Sequence, residues 1–152
     1  MMVASEPVFV FPAAVREQVL AQHRELRCLL ESIVEETTRA FRRGSELEEL
    51  VRLAHDLRAS FRAHLRFEER NLFPVLRRID QWGPERVKAL AEEHGRQRAQ
   101  LDELVGGIDD NWDIERVAIA LRSLSTDFLA DMAEEERGCL DAELLKDQIL
   151  GQ

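Results

Sequence analysis

Apolar residues return every three or four positions along four stretches of the chain, the period of a helix with one buried face. The first stripe is Val15, Val19, Leu26, Leu30 and Ile33. The second is Leu50, Ala54, Leu57, Phe61, Leu72 and Ile79, and the third is Val87, Leu90, Leu101 and Leu104. The fourth is Val117, Leu121, Leu124, Phe128, Cys139 and Leu145. Punctuation agrees with the stripes. Pro12 suits the first turn of a helix, where its missing N–H costs nothing, and Gly44 suits the stop. Ser45, with Glu48 three residues on, reads as a capping box that opens the second helix at once. That helix runs to about Asp80, and Pro74 inside it predicts a kink or an early end. Gly83-Pro84 starts the third helix, which reaches about Val105 and is ended by Gly106-Gly107. Asn111 or Asp113 caps the fourth, which continues to about Leu150. Four single-striped helices with short connections predict an all-α, up-down-up-down antiparallel four-helix bundle over residues 12–152. Residues 1–11 read as an extended arm.

The informative residues interrupt the stripes. His23 falls between Val19 and Leu26, and His94 between Leu90 and Leu101. His64 and Glu68 fall between Phe61 and Leu72, and Asp131 and Glu135 between Phe128 and Cys139. A spacing of four on a helix means about 40° of rotation and about 6 Å of rise, so both members of each pair reach one cavity. Folding the chain at Gly44 and Gly83 brings His23, His64, Glu68 and His94 to similar heights. The fourth helix fits less well, and Asp127, one turn before Asp131, is the substitute ligand. The neighbouring Glu69, Glu134 and Glu136 are expected to be solvated, and His55 to lie on the surface.

Charge turns this pattern into chemistry. An ionised carboxylate in a dry core carries a penalty of several kcal/mol even after relaxation. Glu68, Asp131 and Glu135 would converge with no inward Lys or Arg, and three neutral imidazoles cannot balance them. A metal ion can, and it accepts both imidazole and carboxylate ligands; two ions balance the set more fully than one. Asp131 has another role open to it, as acceptor of a hydrogen bond from a ligand histidine.

Composition removes competing classes. The 152 residues suit one domain. The formal charge of −9 argues against nucleic acid or an anionic membrane as partner. Cys28 and Cys139 have no paired spacing and read as buried thiols. Trp82 and Trp112 fall in turns and are expected to cap the core at one end. The N-terminus lacks a basic region and a long apolar run, so the protein is expected in the cytoplasm.

The stretch His64-Leu65-Arg66-Phe67-Glu68-Glu69-Arg70-Asn71-Leu72-Phe73-Pro74 resembles the HxxxE signature of hemerythrin-like (HHE cation-binding) domains. The family order is His, HxxxE, His, HxxxE. His23, His64 with Glu68, and His94 match the first three parts, and Asp131 to Glu135 falls on the fourth with Asp131 in place of histidine. The resemblance implies a four-helix bundle with a non-haem di-iron centre, oxo- or hydroxo-bridged, with zinc or manganese as alternatives. It implies Glu68 and Glu135 as bridging ligands, His23 and His64 as terminal ligands on one ion, and His94 on the other with Asp131. Arg98 stands four residues after His94, where the oxygen carriers of the family have a further histidine. Reversible oxygen carriage is therefore not expected. The readings left open are a protein that binds or senses oxygen or a related diatomic or peroxide ligand or handles iron, an oxidoreductase or peroxidase using the same centre, and an interaction module with a lost or swapped metal. A homodimer is open too.

Overall fold

The computed structural model describes residues 11–43 and 46–147. The expected N-terminal arm up to residue 10, the stop at Gly44 and the Ser45 cap lie outside the described residues. Helix α1 spans Pro12–Arg43 and α2 spans Leu47–Phe67. A π-helical turn, Glu68–Leu72, joins α2 to α3, Phe73–Ile79. Helix α4 spans Gly83–Asp109 and α5 spans Ile114–Arg137. No strand occurs among the described residues. Counting α2, the π turn and α3 as one continuous arm, the architecture is the expected four-helix bundle. Helix α1 packs on α5 and α2, and α4 packs on α3, α2 and α5. Among the described residues, no helix is long and apolar enough to cross a membrane.

Pro74 neither ends its helix nor stands as a simple kink. A proline inside an α-helix collides with the carbonyl four residues back and leaves it unbonded. Here the preceding turn widens by one residue, and the Phe73 N–H donates to the Glu68 carbonyl. Pro74 then occupies the first turn of α3. Such wide turns are frequent at functional sites, and this one begins on Glu68.

Two expected helix ends move. Helix α4 runs through Gly106-Gly107 to Asp109. Gly107 is a packing glycine: a Cβ there would meet the Trp112 ring at 2.2 Å. The turn is made instead at Asn111, whose φ is 61°, and Asp113 accepts from the Arg116 N–H at 2.9 Å to cap α5. Helix α5 stops at Arg137, well short of Leu150. The segment beyond it turns back, so that Leu140 and Leu145 are buried through turns. The tryptophans sit at opposite ends of the bundle. Trp82 is exposed, while Trp112 packs against the core beneath the Arg116 guanidinium. Cys28 is exposed rather than buried.

Gly107→Ala is expected to destabilise by about 1–3 kcal/mol through overpacking against Trp112. Gly106→Ala, with nothing within 4 Å of the new methyl, should be neutral or stabilising. Thermal melts of the two variants check this; equal midpoints would show that the indole withdraws freely.

The apolar core divides in two. One block gathers Leu26, Leu30, Ile33, Leu57, Phe61, Leu101, Leu121 and Phe128, with Phe61 stacked on Phe128 at 4.2 Å. The other gathers Val15, Val19, Leu72, Phe73, Leu76, Val87, Leu90, Leu140 and Leu145. The stripe interruptions lie between these blocks.

Candidate metal centre

Each helical arm breaks its apolar stripe at the level of this gap, so four arms deliver polar side chains to one buried layer. His23, His64, Glu68 and His94 are at most 4% exposed, and the Glu135 side chain is 8% exposed. His23, His64, Glu68 and Glu135 each offer a ligand atom within 4.8 Å of the others. His23 Nε2 stands 3.9 Å from Glu68 Oε1 and 3.7 Å from Glu135 Oε1. His64 Nε2 touches Glu68 Oε1. His94 approaches from the other side, its Nε2 3.5 Å from Glu68 Oε2. Glu68 is thus the hub that three imidazoles face.

Most of these inward atoms have no hydrogen-bond partner. Among the described residues the orphans include Nε2 of His23 and His94, both Glu68 oxygens and Glu135 Oε1. Each such group costs about 1–3 kcal/mol when buried unsatisfied. A cation among them would take up the lone pairs together, so the donor set fits a metal ion.

The outward nitrogens supply the complementary half of the design. His23 Nδ1 lies 3.1 Å from Glu136 Oε2, His64 Nδ1 2.7 Å from Gln22 Oε1, and His94 Nδ1 3.0 Å from Glu69 Oε2. An acceptor at Nδ1 holds the proton there, which leaves the Nε2 lone pair facing the centre. Glu69 and Glu136 were expected in solvent; instead they are half-buried partners of ligand-facing imidazoles. Arg98 grips Glu69 with bonds of 2.6 and 2.7 Å. Arg27 grips Glu136 with bonds of 2.9 and 3.1 Å. The layer therefore carries an internal repeat. Helices α1 and α4 each present a histidine with an arginine four residues on, His23/Arg27 and His94/Arg98. The arms of α2 and α5 each present an acidic doublet, Glu68-Glu69 and Glu135-Glu136. In each doublet the first carboxylate points to the centre. The second, about 100° further round the helix, clamps a histidine of the neighbouring helix. Doublets facing His-x3-Arg stretches were the signal in sequence.

Asp131 is not brought into the cluster. Its Oδ2 accepts from Arg96 Nη2 and Gln97 Nε2, both at 3.1 Å. Asp127, the substitute, is exposed, as is Glu134. His55 is exposed as well. Glu135, one turn after Asp131, is the α5 carboxylate at the centre. Helix α4's extra turn takes up part of the height mismatch that made this helix hard to place.

The electrostatics of the layer are divided. Burial raises the Glu68 carboxyl, but His64, His23 and His94 outweigh it and hold it well below the usual carboxylate range. Burial and the adjacent Glu68 charge push Glu135 well above that range. Burial lowers His94, but Glu68 and Glu69 reverse this and leave it raised. Without a cation the layer drives its two central carboxyls in opposite directions.

A cavity of about 570 Å³ opens beside Glu135 between α4 and α5, lined also by Arg86, Glu93, Arg96, Asp131 and Cys139. Burial pushes the Cys139 thiol up, which keeps it protonated.

Glu136→Ala and Glu69→Ala are each expected to weaken metal binding by about 10–100-fold through loss of histidine orientation. Competition with a chelator of known affinity reads this; an unchanged affinity would mean that the imidazoles hold their orientation unaided.

A family model described as the hemerythrin HHE cation binding domain matches residues 14–142 of the chain. No curated protein and no solved structure in the comparisons matches it.

Proposed function

The chain belongs to the hemerythrin HHE cation binding domain family, and from that premise we propose that its buried layer holds iron, as a pair of ions. In this reading the protein binds or senses oxygen or a related small molecule, or handles iron, and does not carry oxygen reversibly. The observation that carries it is the group of inward-facing, unpartnered donor atoms on His23, His94, Glu68 and Glu135. His23, His64, Glu68 and Glu135 would hold the ion on one side, and His94 with Glu68 Oε2 would begin the set on the other. When bound, iron supplies Lewis acidity and one-electron chemistry at this position. The chain's own residues do the rest. Glu136, Gln22 and Glu69 keep the Nδ1 protons in place, and the two apolar blocks exclude bulk water from above and below. The absence of a second histidine after His94, where Arg98 stands, leaves fewer protein donors than an oxygen carrier has.

Elemental analysis of protein purified without chelator, repeated after anaerobic addition of ferrous iron, tests the reading and separates iron from zinc or manganese. Iron uptake followed by an oxygen-dependent optical change is expected. Protein that neither retains nor takes up metal overturns it. The cavity between α4 and α5 favours a second reading, an oxidoreductase or peroxidase, because it gives a small substrate access beside Glu135. Multiple turnovers with peroxide and a reductant would support that reading; a single oxidation would end it.

A further inference from the structure

The internal repeat is imperfect at one corner, and that corner faces the cavity. On the closed side, His64 precedes Glu68 by four residues and is held by Gln22, the residue before His23. The matching positions on the other side are Asp131, four residues before Glu135, and Glu93, the residue before His94. A histidine–glutamine corner is thus replaced by an aspartate–glutamate corner. Asp131 does not face the centre but is tied to Arg96 and Gln97 at the cavity wall.

The donor supply follows this asymmetry. His23, His64, Glu68 and Glu135 converge within one ion's reach. The other side retains the unpartnered His94 Nε2 and Glu68 Oε2, both buried. We infer that the centre binds its two ions unequally. The first ion is tight at His23, His64, Glu68 and Glu135. The second is weak and exchangeable at His94 and Glu68, because Arg96 and Gln97 hold Asp131 out of its ligand sphere. Arg96 and Gln97 are positioning residues that act through Asp131. The cavity gives Asp131 room to turn and gives the second ion its route. Breaking two hydrogen bonds to a charged carboxylate, one from a half-exposed arginine, sets the second affinity below the first by about tenfold or more. The inference rests on the metal-binding reading above.

Anaerobic calorimetric titration of the full chain with ferrous iron tests it, with elemental analysis after gel filtration. The native chain should show one tight equivalent, retained on filtration, and a second at least about tenfold weaker. Arg96→Ala combined with Gln97→Met, which keeps the buried volume, should tighten only the second equivalent. Arg96→Ala alone should do so in part, which covers loss of folding in the double variant. Asp131→Asn keeps an acceptor for Arg96 and Gln97 but removes the ligand charge; it should delete the second equivalent and spare the first. Two equal equivalents in the native chain would overturn the inference while sustaining the metal-binding reading. An unchanged ratio in the Arg96 variants would overturn it as well. No uptake at all would overturn both.

Discussion

Glu68→Gln is expected to remove metal retention and, with it, the thermal stabilisation that metal confers. Glutamine keeps the shape of the side chain and one acceptor oxygen. It removes the charge on which the layer is organised, since Glu68 is the carboxylate that His23, His64 and His94 all face. A ligand that binds the folded chain alone stabilises it by about 4 kcal/mol at a thousandfold excess over its dissociation constant. For a domain of this size that is roughly 8–16 °C of melting temperature. The native chain should show this rise on loading, and Glu68→Gln should show almost none. Melts with and without iron are both needed, because the substitution also changes the metal-free layer. The difference between the two melts isolates the metal. Exposed Glu134→Gln, on the same helix as Glu135, should behave as the native chain. A full metal-induced rise in Glu68→Gln would refute the assignment of Glu68 as hub.

The second large effect is a reversal of pH dependence on loading. In the metal-free protein, burial and the Glu68 charge raise Glu135 above its ordinary value of 4.5. The folded chain then binds that proton more tightly than the unfolded chain. This contribution is complete below 4.5 and is lost as pH rises through the raised value. His94 acts in the same sense: burial lowers it, Glu68 and Glu69 raise it more, and the net value lies above 6.5. Its contribution is complete below 6.5 and fades as pH rises through the folded value. Glu68, Glu69 and Glu136 act oppositely, being lowered by their histidine and arginine partners against the cost of burial. Their contributions are present above 4.5 and are lost as pH falls through the depressed values. Metal-free stability should therefore be greatest in mild acid and decline from about pH 5 to pH 8. Metal competes with protons for the same imidazoles and carboxylates, so the stabilisation it adds grows with pH. Denaturation at several pH values, with and without iron, should give opposite slopes over that range. A metal-free protein that gains stability from pH 5 to pH 8 would contradict the proton assignment.

Much of the bundle is legible in sequence because each helix carries its own evidence. The stripes from Val15 to Leu145 and the breaks near Gly44 and Gly83 are local signals, and nearly all the residues they mark are buried, although the core also takes in Leu53, Leu65, Leu76, Met132 and Leu140. His64 and Glu68 are legible for the same reason: their spacing lies within one helical arm, and the π turn begins only at Glu68. What depends on the relation between helices is harder to read. Asp131 and Glu135 share a stripe, and only the rotation of α5 against α4 decides which faces inward. Glu69 and Glu136 look like solvated neighbours until Arg98 and Arg27 are brought against them. Gly106-Gly107 has the composition of a stop, and the Trp112 ring resting on Gly107 explains why it is not one.

The division of the apolar core has a consequence for how the molecule opens. A single continuous core would protect its amides as one unit, whereas two blocks separated by a layer of orphaned polar atoms can fluctuate separately. Helix α1 crosses the layer and belongs to both blocks, while α3 and the turns carrying Leu140 and Leu145 lie wholly in one. In the metal-free chain the amides of α3 should exchange with solvent by a partial opening that leaves the Phe61–Phe128 block closed. A cation held by His23, His64, Glu68 and Glu135 would tie three of the four arms together across that seam, and loading should merge the two exchange regimes into one.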